Sequence, residues 1–222
     1  MNTDFIINGC IEYEDLFSLI HLVKKLKEPK DNMIVILDSL LTNDNMISMV
    51  HSFDIEPVFY PFDNWNNRWE FEKTLWQNDL IFHLDADELP SYMLLKIFRQ
   101  PFIDDPDLEM LAVPRINIYT DSTPENVAKM YVGNRPQDFI LQQEKAHPLK
   151  WINWPDYQFR IHRAVKHIVW GSQIHAGPTG YKKMAVLPAD VTFALLHAKT
   201  IEHQGRILKF YDELEPQYSG RV

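Results

Sequence analysis

Asp79-Leu80-Ile81-Phe82-His83-Leu84-Asp85-Ala86-Asp87-Glu88-Leu89-Pro90 is the stretch from which the rest of the chain can be read. Its first half is short and mostly apolar, the pattern of a buried strand. Its second half packs three carboxylates, Asp85, Asp87 and Glu88, into four residues. Carboxylates so placed repel one another and call for a counter-charge, which a hard divalent cation held by oxygen ligands supplies. On a strand, Asp85 and Asp87 share a face, because alternate residues point the same way. An exposed acidic turn closed by Pro90 is the plainer account of an Asp-x-Asp. The apolar strand ahead of it, and the helix-like Ser91–Gln100 behind it, favour a metal site.

Toward the N-terminus the chain alternates strand and helix. Asp4–Gly9 reads as a strand, and residues 11–26 carry Leu16, Leu19, Ile20, Val23 and Leu26 at helical spacing. Lys24, Lys25 and Lys27 suit the last turn of that helix, and Pro29 stops it. Met33–Leu37 is a second strand. Asp44–Phe53 is a helix with Thr42 or Asn43 as its cap. Pro57–Tyr60 and Leu80–Leu84 are further strands, with helical character over Asn66–Trp76 between them. Four such alternations predict an α/β fold with a mostly parallel central sheet flanked by helices. Ligands of such sheets bind beyond the carboxyl ends of the strands. Asn8 and Gly9, Asp38 and Ser39, Asp63 and Asn64, and Asp85 and Asp87 all fall at those ends. The convergence marks one rim of the sheet as a site.

The second half is less regular. Leu111–Ile118 reads as a strand interrupted by Pro114-Arg115. Short strand-like pieces follow at Tyr157–Arg163, His167–Trp170, Gln173–His175 and Val191–Leu196, and a helical stretch at Thr200–Leu214. The polar segment over about 120–150 reads as a mobile loop above the site. The whole, 1–222, is taken as one domain: a nucleotide-binding half over 1–90 and an acceptor half over 91–222.

Composition narrows the function classes. The 222 residues are enough for a real core. A net charge of −9 argues against broad electrostatic binding to nucleic acid or anionic lipid. The single cysteine, Cys10, allows no internal disulfide and points to a reducing, cytoplasmic setting. No apolar run approaches the roughly 20 residues that span a bilayer, and no basic region precedes the first apolar residues as in a signal peptide.

Together the motifs resemble the family 2 glycosyltransferases of the GT-A fold. Asp85-Ala86-Asp87-Glu88 after its strand, with Asp38 ending an earlier one, is similar to that family's acidic motif. Val113-Pro114-Arg115-Ile116-Asn117 resembles the strand that follows it. Tyr157-Gln158-Phe159-Arg160-Ile161-His162-Arg163, the segment from Trp170 to His175, and Leu196-His197-Ala198-Lys199-Thr200 resemble later family segments in the same order.

The resemblance implies a metal-dependent transfer of a sugar from a nucleotide donor, most naturally a UDP-sugar, to a hydroxyl acceptor. Asp87 is then the direct metal ligand and Asp85 reaches the sugar or ribose as well as the metal. His197 completes the shell, and its imidazole favours Mn²⁺ over Mg²⁺. Asn8, Asp38, Arg68 and His175 would bind the donor. An inverting transfer needs a carboxylate base; Asp156 is the first candidate, Glu88 the second and Glu144 the third. Each of these has a plain structural alternative: a turn or cap residue for Asp38 and Asn8, a surface arginine for Arg68, a core histidine for His197.

Other classes stay open at this stage. One is a nucleotide-sugar or glycan-binding module without turnover. An aspartate-dependent phosphotransferase needs its acidic pair after the first strand, where this chain has Ile7-Asn8-Gly9-Cys10. A calcium loop needs spaced ligands and a glycine that the acidic stretch lacks. The acceptor is a soluble sugar, a protein, a glycan precursor or a hydroxymethylated base in phage DNA.

Overall fold

The computed structural model describes residues 1–62, 65–121, 142–143, 150–171, 177–200 and 202, with backbone alone at 65–66, 142–143 and 150–153. In chain order the elements are β1 (Thr3–Gly9), α1 (Tyr13–Leu26), β2 (Asn32–Asp38), α2 (Asp44–His51), β3 (Val58–Tyr60), α3 (Trp65–Glu72), β4 (Leu80–Asp85) and β5 (Glu88–Pro90). There follow α4 (Tyr92–Ile97), α5 (Gln100–Asp104), β6 (Met110–Tyr119), β7 (Gln142–Gln143), β8 (Lys150–Arg163), β9 (Val169–Trp170), β10 (Pro178–Thr179), β11 (Met184–Val186) and β12 (Leu195–Lys199).

The central sheet runs β3-β2-β1-β4-β8-β6-β12-β5. Its first four strands are parallel, as the strand–helix alternation predicts. β8 enters antiparallel between β4 and β6, and β12 lies parallel to β6. The architecture is mixed α/β with a mostly parallel sheet flanked by helices.

Period-two alternation sorts the side chains. Phe5, Ile7, Phe82, Leu84, Leu111 and Val113 face one side and pack with Leu16, Leu19 and Ile20 of α1 and with Phe98 and Phe102. Ile6, Ile36 and Ile81 face the other side. Gly9 ends β1 where α1 folds back. A Cβ there would lie 2.8 Å from a Leu16 methyl, so any larger residue would have to displace that buried side chain. Asn43 caps α2 by accepting from the Met46 N–H at 3.1 Å.

Three segments differ from the sequence expectation. The strand predicted over Tyr157–Arg163 is the end of a 14-residue strand. Its first half carries no apolar period and is recruited by pairing with β6 as far as Ile118↔Trp151. Val191–Phe193 is a 3₁₀ turn rather than strand, capped by Asp190, whose carboxylate accepts from Thr192 N–H at 2.8 Å. The acidic stretch turns at Ala86-Asp87, so Asp85 and Asp87 do not share a strand face, and Glu88–Pro90 then pairs antiparallel with β12, setting His197 opposite Glu88.

Pro114 sits mid-strand without harm. β11 pairs with β6 up to Ala112 and β12 from Arg115. The proline therefore falls in the gap between two neighbours on that edge, where it removes no ladder bond. Gln173–His175, the close of the chain beyond Glu202, and nearly all of the predicted loop over 120–150 lie outside the described residues.

Candidate active site

The strand ends meet as the sequence predicted. Asn8 lies opposite Asp85 across β1 and β4, and opposite Ile36 across β1 and β2, which sets Asp38 two residues further along the same rim. Asp63, Asn64, Glu144 and His175 lie outside the described residues.

At the acidic motif the carboxylates are threaded between cations. Arg160 Nη2 lies 2.5 Å from Asp85 Oδ2 and 2.7 Å from Glu88 Oε1. Arg115 Nη1 reaches the same Glu88 oxygen at 2.8 Å. Its Nε and Nη2 hold Asp156 Oδ2 at 2.9 and 2.6 Å. Asn117 Nδ2 donates to that oxygen at 2.9 Å, and Gln158 Nε2 donates to Asp156 Oδ1 at 2.9 Å. His197 Nδ1 stands 2.7 Å from Asn117 Oδ1, and its Nε2 stands 3.0 Å from Asp87 Oδ2. Lys199 Nζ is 3.4 Å from the same Asp87 oxygen. One continuous chain of contacts thus runs from Asp85 through Glu88 and Asp156 to Asp87.

Burial sets the protonation of its members. Desolvation alone would raise the pKa of Asp87. The hydrogen bond and charge of His197, with Lys199 and Arg115, outweigh it and hold the carboxyl far below its usual range. Glu88 is wholly buried, and the two guanidiniums overcome that burial to keep it ionised below the ordinary glutamate value. Burial, aided by Arg115 and Lys199, pushes the His197 pKa down despite Asp87.

These donors can be tested against a divalent ion. Asn117 turns its amide oxygen to His197 Nδ1 and the Asp87 carboxylate lies at Nε2, so each ring nitrogen faces an acceptor and Nε2 would exchange its proton for an ion on metal binding. Cis ligands of an octahedral ion at about 2.1 Å stand roughly 3 Å apart, the spacing of Asp87 and His197. Asp87 and His197 would offer an ion two donors, at a separation that an ordinary hydrogen bond also gives, and Lys199 Nζ lies 3.4 Å from the same Asp87 oxygen. Asp85 does not converge with them, because its carboxylate is turned onto Arg160. Among the described residues no three metal-binding side chains gather at one point.

The remaining candidates divide. Asp38 is buried, and its Oδ1 accepts from the N–H groups of Leu40 at 2.9 Å and Phe62 at 3.4 Å. Asn8 hydrogen-bonds the buried Glu72 through its side chain, leaving Oδ1 without a partner among the described residues. Arg68 pairs with Glu72, its Nε 3.3 Å from Oε1, and its guanidinium covers the Phe62 ring. Glu88 is the hub of the network and exposes nothing to an acceptor.

Sequence reasoning gave no role to Arg115, Asn117 or Lys199. Arg160 and Arg163, three residues apart on β8, have different duties. Arg160 enters the acidic network, whereas Arg163 donates to the carbonyls of Leu108 and Phe102. Behind the site His83 Nε2 lies 3.0 Å from His162 Nε2, and His83 Nδ1 lies 3.1 Å from Glu72. Burial and the neighbouring His83 push His162 down to about 3.

No family model matches the sequence, and no curated protein matches it. Solved structures do. TarS of S. aureus superposes with a TM-score of 0.55 over 95% of this chain and 39% of its own, at 13% identity. Its residues 1–349, in complex with UDP-GlcNAc, give 0.56 over 96% of this chain and 66% of that one, at 12% identity. The fold is GT-A, that of glycosyltransferases. The chain spans 39% of the longer TarS and just under two thirds of the shorter. Glucosyl-3-phosphoglycerate synthase from Mycobacterium tuberculosis, solved with Mn²⁺ and UDP, gives 0.43 over 59% of this chain and 47% of its own at 11% identity, too loose to bear on the site. Among the described residues no helix is long and apolar enough to cross a membrane.

Proposed function

We propose that this chain is a metal-dependent glycosyltransferase that moves a sugar from a nucleotide donor, a UDP-sugar first, to a hydroxyl acceptor with inversion. One observation carries the reading. At the carboxyl ends of the parallel strands, His197 Nε2 and the Asp87 carboxylate face each other 3.0 Å apart, two groups that a cation could share. Asp87 and His197 would hold Mn²⁺ or Mg²⁺, and the ion would neutralise the diphosphate of the donor.

The chain's own residues do the rest. Asn8 and Asp38 line the nucleoside end of the rim, and Asp85 lies at the ribose and sugar. Asp156 is the base. Arg115 and Asn117 fix its Oδ2 and leave Oδ1, with one amide donor, to take the proton of the acceptor hydroxyl. The acceptor oxygen bonds to the anomeric carbon. The bond from that carbon to the diphosphate oxygen breaks, and its electron pair leaves on the phosphate. Lys199, beside Asp87, adds positive charge where that negative charge collects.

The test is a thermal-shift screen of UDP-, GDP-, CMP- and dTDP-sugars with and without Mn²⁺. A Mn²⁺-dependent rise in Tm with one nucleotide class is expected. No shift with any donor would reject the reading. A binding module without turnover is the second reading, favoured by the occupation of Glu88 and Asp156 by guanidiniums. It predicts the same shift with no donor hydrolysis and no transfer.

A further inference from the structure

Behind the donor rim lies a buried polar cluster that takes no part in the chemistry proposed above. Glu72, the last residue of α3, is 1% exposed. His83 Nδ1 of β4 stands 3.1 Å from its Oε2, and Arg68 Nε, one turn back on α3, stands 3.3 Å from its Oε1. Trp69, on the same face of α3, packs its ring against His83 and His162, with centroids 4.8 and 5.2 Å away. Burial alone would raise the Glu72 pKa. The charge and hydrogen bond of His83, with Arg68 and Asn8, outweigh it and hold the carboxyl below its usual value. The residue that Glu72 grips on the rim is Asn8, at the carboxyl end of β1 and opposite Asp85 of β4.

The Asn8 amide is thereby given a direction. An ionised carboxylate only accepts hydrogen bonds, so the end of the amide at Glu72 is the NH₂. The other end, Oδ1, belongs to a side chain that is 6% exposed and has no partner among the described residues. Buried acceptors are nearly always paired, and one left open at the nucleoside end of a site asks for a donor from the ligand. A uracil ring offers an N–H at N3, where cytosine offers a lone pair. We propose that Glu72 is a positioning residue that fixes the Asn8 amide with its oxygen toward the donor nucleotide, so that the site selects a base with a ring N–H, as in uracil, over cytosine. The inference deepens the proposed function and rests on its assignment of Asn8 to the nucleoside end. Without the carboxylate the amide is free to turn its NH₂ toward the cytosine lone pair, and discrimination is lost rather than binding.

The experiment measures the affinities of UDP and CDP by titration calorimetry at one Mn²⁺ concentration, for wild type and two variants. Wild type should prefer UDP by about 10–100-fold, the cost of leaving a buried acceptor unpaired. Glu72→Met, which no longer holds the amide, should erase that preference. A merely structural role for Glu72 would weaken both nucleotides alike and leave their ratio unchanged. The double variant Glu72→Gln with Asn8→Asp exchanges the amide and the carboxylate. It keeps an N–H···O bond between the two positions and an acceptor toward the ligand, so it should still prefer UDP. Circular dichroism establishes that each variant is folded, and the exchanged pair decides the matter should Glu72→Met not fold. Equal affinities or a preference for CDP in wild type, an undiminished preference in folded Glu72→Met, or its loss in the folded exchanged pair would overturn the inference. Failure of wild type to bind either nucleotide would instead reject the proposed function, and the inference with it.

Discussion

Replacing Glu88 by glutamine keeps its shape and removes one negative charge from between two buried guanidiniums. Its Oε1 accepts from Arg115 at 2.8 Å and from Arg160 at 2.7 Å, and the side chain is 0% exposed. Removing one partner of a buried ion pair costs about 3–5 kcal/mol, because the charge left behind is uncompensated. Here each arginine keeps a second carboxylate, Asp156 for Arg115 and Asp85 for Arg160, and the two side chains are 19% and 13% exposed. The lower end, about 3 kcal/mol, is therefore expected. For a protein of this size that is a fall in Tm of roughly 6–12 °C.

The loss carries a pH signature. Glu88 is held below the ordinary glutamate value in the folded state, against the burial that would raise it. Its contribution is therefore complete above the unfolded pKa, the ordinary glutamate value, and is lost as pH falls through the lower folded value. The gap in stability between wild type and Glu88→Gln should be full at pH 7 and shrink steadily below about pH 4.5. Calorimetric melts at pH 7, 5, 4 and 3 measure it. A variant within 2 °C of wild type at pH 7, or a gap that does not narrow with acid, would refute the reasoning. A catalytic loss with unchanged stability would return Glu88 to the role of base.

Further outcomes are specific to single residues. Asp87→Ala should abolish donor binding and transfer together, by more than the 10–100-fold typical of supporting residues, and EDTA should do the same, with Mn²⁺ restoring activity best; full activity in EDTA would discard the metal. Asp156→Asn retains a carbonyl oxygen opposite Asn117, so it should keep donor affinity while kcat falls about 10²–10⁴-fold; wild-type turnover would place the base elsewhere. Burial, then the charges of Glu12 and Asp38, pushes Cys10 up to about 12. Its alkylation at pH 8 should accordingly run on the order of 10³ slower than that of a free thiol and recover in urea; a free-thiol rate in the folded protein would contradict the burial.

What the sequence disclosed followed from the physics of each segment. Parallel strands covered on both faces read as apolar runs, so β1, β2 and β4 and the helices between them are visible in the residues themselves. The rim of Asn8, Asp38 and Asp85 follows from that order. Arg115, Asn117 and Lys199 were silent because each acquires its role from register, not from its neighbours in the chain. Arg115 and Asn117 meet Asp156 only through an irregular pairing of β6 with β8, shifted between those two residues. Lys199 meets Asp87 only because β12 lies beside both β6 and β5. The first half of β8 was hidden for a related reason: its Trp, Asn and Pro residues carry no period of their own.

The place of β12 also has a consequence for how the protein reaches its native state. The strand comes late in the chain yet is slotted between β6 and β5, so it is laid down as an interior strand rather than added at an edge. Until it docks, Asp87 has neither His197 nor Lys199, which lie more than a hundred residues downstream. Closing so long a span is slow. The first four strands can therefore pair and pack before Asp87 meets His197 and Lys199, which would make the proposed cation pair a late product of folding.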